Sequence, residues 1–361
     1  MPAADPCPVA DGASGGADRA PQQIRAWLLV CALLVFAVLV VGGITRLTHS
    51  GLSIVRWQPL SGALPPLSDA AWMTLFDQYR ASPEFRLVNS TMTLGEFKPI
   101  FWWEYAHRLL GRIAAIALAV PLLAFWITGR MTAALGWRLL GILALGALQG
   151  ALGWYMVASG LVDDPRVSPV RLAAHLAMAL LIIGLLLWTA WTLPGPRTAR
   201  NAMSLPARAA LLAVFVMALS GALMAGTHAG YAYNTFPLMD GHLLPPELLD
   251  AESWSGGFLA NLAAVQALHR MLAVVVVVAL FALWRHARSR GDRPRRAARI
   301  LPPALALQLG LGIATLRLGI ALPLAAAHQA GAVILFASTL WVAFRITRAR
   351  TPGEPENGLS A

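Results

Sequence analysis

Charge is scarce in this chain. Only 12% of its 361 residues are charged, whereas 58% are hydrophobic. That is about half the charge content of an ordinary globular protein, which argues against one large soluble core. Cysteine is almost missing. Cys7 lies in the polar N-terminal stretch and Cys31 inside the first apolar run. No two cysteines share a loop, so neither a structural disulfide nor a CxxC redox pair is available. Also lacking is a basic face interleaved with aromatics. The formal charge of +11 comes from arginines crowded into a few short connections, a signature of membrane topology that leaves nothing for nucleic acid.

The first 26 residues are rich in Pro, Gly, Ala and Asp and read as a disordered tail. They lack the arginine-rich, acid-poor character of a mitochondrial presequence. The apolar run from Trp27 follows no basic region and leads to no small-residue cleavage site. It is expected to stay as a helix in a bacterial plasma (inner) membrane.

What is present is a series of apolar runs near 20 residues long. Eight qualify as spans, at roughly 27–45, 100–127, 134–157, 169–192, 207–227, 258–284, 300–318 and 322–345. The fold class is therefore all-α, a polytopic membrane protein of eight transmembrane helices. Arg130, the trio Arg197, Arg200 and Arg208, the run from Arg285 to Arg299, and Arg345, Arg348 and Arg350 all fall on one side if both termini are cytoplasmic. The other side receives two long loops, about 46–99 and 228–257, the second of them acidic.

The sequence repeats itself. GGITRLTHSGL (42–52) resembles GALMAGTHAGY (221–231), and HRLL (107–110) resembles HRML (269–272). LQGALG (148–153) resembles LQLGLG (307–312), and AAHLAMALLI (173–182) resembles AAHQAGAVIL (326–335). Each half has four spans and starts on the same side, so a parallel repeat of two pseudo-symmetric four-helix bundles is expected. The divisions are a 1–26 cytoplasmic tail, a 27–192 bundle, a 193–206 linker, a 207–345 bundle and a 346–361 cytoplasmic tail.

Four histidines lie inside spans: His107, His175, His269 and His328. All four occur in even-numbered spans running inward from the outer face, roughly 10–16 Å deep at 1.5 Å per residue. An imidazole in lipid is costly unless it faces the bundle interior and finds a partner. A single one is ordinarily a packed, hydrogen-bonded core residue. Two pairs at matched depth instead point to axial ligation of haem iron, one pair in each half. A bare metal ion would want three or four ligands, with carboxylate or thiolate among them. His49 and His228 match across the repeat but sit at span ends, where an interfacial polar role is the default. His242 and His286 read as solvated.

The halves differ in one telling place. Glu104, His107, Arg108 and Gly111 share a helix face, and the corresponding face carries Gln266, His269, Arg270 and Ala273. A carboxylate can exchange a proton or stabilise developing positive charge, and an amide cannot. The first half thus looks like the reacting half, with the second holding a cofactor. A supporting or ion-paired role for Glu104 stays open. Arg108 and Arg270 are placed either to meet haem propionates or to snorkel to the interface.

The stretches GGITRLTHSGLS (42–53), EFKPIFWWEYAHRLLGR (96–112), RLAAHLAMA (171–179), AGYAYNTFPLMDG (229–241), LHRMLA (268–273) and AAHQAGAVILF (326–336) resemble the haem A synthase family. The resemblance covers nearly everything beyond the N-terminal tail. It implies oxidation of the C8 methyl of haem O to a formyl group by successive hydroxylations, in the service of cytochrome oxidase assembly. It further implies that His107 and His175 bracket the substrate haem O, with Glu104 assisting. His269 and His328 would hold a haem b that passes electrons. Haem O synthase and an electron donor are implied partners beside membrane lipid, and a homo-oligomer is compatible. The chain departs from some members in having no cysteine pair in 46–99, which excludes a thiol relay there. The segment Tyr233–Gly241 is expected either to close over the second-half site from outside or, through its Asn, Pro and Asp, to form turns with no direct role.

Two other readings use the same residues. A di-haem electron-transfer subunit would keep the four ligands without a formyl product. A parallel-repeat transporter would place the histidines in a proton path.

Overall fold

The computed structural model describes residues 19–59, 61–193 and 202–349. The tail readings for 1–18 and 350–361, and the linker reading for 194–201, fall outside the described residues. Among these residues eight helices are long and apolar enough to cross a membrane, and no β-strand is present. They are α1 (Arg19–Leu47), α4 (Leu94–Ile127), α5 (Ala133–Ala158), α6 (Pro169–Thr192), α7 (Leu205–Thr227), α8 (Leu262–Arg288), α10 (Leu301–Arg317) and α11 (Leu322–Thr347). Short helices α2 (Asp69–Arg80) and α3 (Pro83–Leu87) lie in the first long loop, and α9 (Asp292–Ala297) precedes α10.

Helix ends follow local chemistry more than hydropathy. α1 begins at Arg19, ahead of the apolar run expected from 27. Residues 19–26 are polar, but Ala, Gln and Arg propagate helix well, and a proline is tolerated in the first turn. α4 starts at Leu94, before the expected 100, because Thr93 and Glu96 form a reciprocal capping box. α8 starts at Leu262 and not at 258, where the Asn261 side chain caps the helix by accepting from Ala264 N. α6, α7, α10 and α11 each carry proline in the first turn, where no backbone donor is lost.

The outward faces of the spans are apolar. Ile116, Val120 and Leu123 on α4 and Val274, Val278 and Phe281 on α8 are all exposed, which suits hydrocarbon and not water. Inward, α1, α4, α5 and α6 pack as neighbours, as do α7, α8, α10 and α11. Contacts of α6 with α7, and of α11 with α1 and α6, join the two sets. One core cluster centres on Leu28, Leu122, Leu139 and Leu186, and another on Leu180, Val214, Leu280 and Val342. Across the seam, Gln329 on α11 donates to the Leu39 carbonyl at 3.0 Å.

The first outer loop is more ordered than its composition implies. Ser68 caps α2, and Trp72, Phe76 and Tyr79 bury against Phe97, Phe101 and Tyr105 of α4. Apolar residues spaced i, i+4 and i+7 put one face of α2 onto the outer end of α4.

Candidate active site

His107 on α4 turns towards α1. Its Nδ1 lies 3.0 Å from the Val38 carbonyl oxygen. A carbonyl only accepts, so the proton sits on Nδ1 and the Nε2 lone pair stays free. The ring lies against Gly42, where a Cβ would come within 2.6 Å of it. His175 on α6 lies against α5 in a similar way, since a Cβ at Gly153 would stand 2.8 Å from the ring. Gln149 Nε2 donates to the His175 carbonyl at 3.1 Å and lies 3.3 Å from Nε2 of its ring. His175 Nδ1 is buried and has no partner.

His269 on α8 has Nδ1 2.8 Å from Ser220 Oγ, whose own hydrogen goes to the Met217 carbonyl at 2.7 Å. Nδ1 is then the donor, again leaving Nε2 with its lone pair. Gly221 borders this ring at 3.5 Å from its would-be Cβ. His328 on α11 faces Gly312 on α10, with the corresponding distance 2.8 Å. Gln308 Nε2 donates to the His328 carbonyl at 3.0 Å and lies 3.2 Å from Nδ1.

Six residues beyond the four histidines therefore shape the two sites: Gly42, Gly153, Gly221, Gly312, Gln149 and Gln308. Each belongs to a stretch that recurs in the sequence, LQGALG and LQLGLG supplying four of them. Their recurrence was the available signal, and its content is space for a ring and a donor for the histidine's helix.

Glu104 is buried and fully engaged. Its Oε2 accepts from Ser53 Oγ at 2.7 Å and from Ile54 N at 2.8 Å. Its Oε1 accepts from Arg108 Nη2 at 2.6 Å and Nε at 3.1 Å. Arg108 also donates to the Ile54 and Arg56 carbonyls. In the second half, Gln266 donates to the Ala229 and Tyr233 carbonyls and accepts from Arg270. Arg270 binds the carbonyls of Tyr233, Thr235, Pro237 and Leu238. Arg108 thus divides its donors between Glu104 and the loop, and Arg270 gives its Nη1 and Nη2 chiefly to the loop, which pins 53–56 beside His107 and 233–238 beside His269.

A cavity of about 480 Å³ opens at the outer end, lined among others by Arg46, His49, Glu84, Arg166 and His228. The His49 and His228 rings stack with centroids 5.8 Å apart and planes 8° from parallel. Burial, with the charge of Arg46 next, holds both imidazoles below their usual value. Burial also pushes the Glu84 carboxyl up to about 7, opposed by the Tyr79 hydrogen bond and Arg46 and aided by Glu104.

With this geometry in place, comparison with known proteins is informative. A family described as "Cytochrome oxidase assembly protein" matches residues 25–340. The chain belongs to that family. A protein named Heme A synthase from Nitrosospira multiformis is 50% identical over 335 residues, covering 91% of this chain and 94% of that protein. Its namesake from Nitrosomonas eutropha is 47% identical over 335 residues, 90% and 94% of the two chains. Another, from Rhodospirillum centenum, is 45% identical over 339 residues, 92% and 91%. The family match includes all four intramembrane histidines and both loop-pinning arginines.

Proposed function

We propose that this membrane protein is a haem-modifying oxidoreductase of haem A synthase type, which oxidises the C8 methyl of haem O to a formyl group. Methyl to formyl is a four-electron oxidation that adds one oxygen atom, carried out in steps on a ring held in the first half. Family membership and the names of the relatives support this activity. The site assignment is supported by the placement of His107 and His175 in one set of four helices and of His269 and His328 in the other, each ring lying against a glycine of a neighbouring helix.

The donor sets suit haem iron. His107 and His269 have Nδ1 tied to an acceptor, which fixes ring orientation and directs Nε2 inward. The unpartnered Nδ1 of His175 and the unpartnered Oε1 atoms of Gln149 and Gln308 mark polar groups still wanting a neighbour in these two pockets. We assign His107 and His175 to the substrate haem O, and His269 and His328 to a resident haem b. When bound, haem b supplies one-electron transfer.

The chain's own residues then do three things. The imidazoles fix the substrate ring between α4 and α6. Glu104, a buried carboxylate one turn from His107 and ion-paired with Arg108, is assigned to assist the oxidation. Ser53 donates its hydroxyl to that carboxylate and helps to hold it in place. Gln266 keeps the loop-pinning role without the charge, which leaves the second half to carry electrons only. The two sets of four helices are read as repeat-related bundles spanning the plasma membrane, with both termini and the arginine-rich connections cytoplasmic.

The test is expression in a cell that makes haem O but no haem A. Haem A in the pigment extract is the expected result. Recovery of haem O alone from abundant, folded protein would reject the enzymatic reading and favour the di-haem carrier.

A further inference from the structure

Arg46 is a largely buried cation that makes no ion pair among the described residues. Its Nη2 donates to the Ala225 carbonyl at 2.9 Å and lies 3.1 Å from His228 Nε2. Its Nε is buried and has no partner. Among the described residues no carboxylate lies within ion-pairing distance of it, the ion pairs being Arg80–Asp77, Arg108–Glu104 and Arg166–Asp164. Glu84 lines the same cavity with 7% of its surface exposed, and its Oε2 is unpartnered. A guanidinium held so calls for an anion, and carboxylate suits its planar fork best.

Position says whose carboxylate. On α1, Val38, Gly42 and Arg46 follow one another at intervals of one helical turn and share a face. Val38 receives the His107 Nδ1 proton, and Gly42 lies under the His107 ring. Arg46 therefore stands one turn outward of the level at which His107 would hold iron, on the helix face that borders that site. The formal charges of a haem's periphery are its two propionates, which sit together on one edge. In a bilayer that edge must point to the polar end of the bundle. Arg108, the obvious alternative, is already committed to Glu104 and two loop carbonyls. The repeat position matching Arg46 is Ala225.

We propose that the Arg46 cavity is the carboxylate subsite of the first half, in which Arg46, flanked by His49 and His228, binds a propionate of the substrate haem and sets its orientation. The inference rests on the assignment of His107 and His175 to the substrate. Orientation matters because the porphyrin is nearly symmetric, and only one of its methyls is to be oxidised. A cation at the propionate edge excludes the ring rotations that would turn another edge towards the polar end.

The experiment is a Soret titration of the full-length, detergent-purified protein, carrying its resident haem, with haem O and with haem O dimethyl ester. Wild type should bind the free acid about tenfold or more tightly than the ester, the worth of a charge-assisted pair. Arg46→Gln should abolish that preference while leaving ester binding unchanged, and Arg46→Lys should restore part of it. Equal affinity of wild type for acid and ester overturns the proposal, and that comparison stands even if the glutamine variant does not fold. So does an undiminished acid preference in Arg46→Gln. If added haem gives no signal that depends on His107 and His175, whatever its side chains, the underlying site assignment fails as well.

Discussion

Gly153 faces the ring of His175 so closely that a Cβ at this position would lie 2.8 Å from the imidazole. The contact fixes how far the ring may swing from α6 towards α5. Replacing Gly153 by Ala should displace the ring and weaken first-half haem binding about 10- to 100-fold, the usual cost of disturbing a ligand's support. Gly146→Ala, on the same helix with nothing within 4 Å of its would-be Cβ, should have no such effect. Haem titration of the two variants checks this.

Glu104→Gln should fold and keep both haem sites but stall turnover at least tenfold. The second half shows that an amide can hold an outer loop at the equivalent place, through Gln266. What disappears is the charge beside His107. Extracts from cells expressing the variant should contain haem O with little haem A. Normal haem A production would remove Glu104 from the chemistry.

The histidine variants should divide by half. His269→Ala or His328→Ala should remove the haem that co-purifies with the protein, seen as lost reduced-minus-oxidised absorbance. His107→Ala or His175→Ala should leave that spectrum and abolish product. Loss of the resident spectrum in all four variants alike would reject the assignment of cofactor and substrate to different halves.

Glu84 gives a pH dependence of defined sign. Its folded value, about 7, exceeds the ordinary 4.5. Between those two values the unfolded chain has released a proton that the folded chain retains, so stability falls as pH rises through this window. The groups around it are Tyr79, Arg46 and Glu104, with His49, His228, Asp164 and Arg166 along the cavity. Glu84→Gln should be more thermostable than wild type above pH 7 and gain nothing below about 4.5. A constant difference across that range would contradict the assignment.

Arg270→Ala should free the loop that it holds through four backbone carbonyls. A cost of about 1.5–3 kcal/mol is expected from losing charge-assisted bonds to half-exposed carbonyls. Faster proteolysis within 233–238, with the first outer loop unaffected, is the readout.

Most of the membrane architecture was legible because lipid leaves few options. Backbone groups in hydrocarbon must be satisfied within helices, and twenty apolar residues are hard to miss. Other features were visible but harder to interpret. Ser68, Trp72, Phe76 and Tyr79 spell a capped amphipathic helix, yet the segment reads as loop when only spans are sought. Gln149 and Gln308 lay in plain view within a repeated stretch, but their contact with His175 and His328 depends on helix rotation. The cavity around Arg46 was hidden altogether. It is assembled from the ends of α1 and α7, the first outer loop and the α5–α6 connection, and no local pattern joins residues so far apart in sequence. The bonds of Arg108 and Arg270 to loop carbonyls were equally out of sight, because backbone acceptors do not show in a side-chain pattern.

One stretch of α1 is shared property. On one side Gly42 receives the His107 ring, and on the other the Gln329 amide, next in sequence to His328, fills the space beside Gly43 and bonds to Leu39. The two proposed haem sites thus lean, like tenants of a common wall, on one turn of a single helix. A bulky residue or backbone break at 42–43 would injure both tenants together, and a spectrum of such a mutant would mimic global misfolding although the damage is confined to one turn.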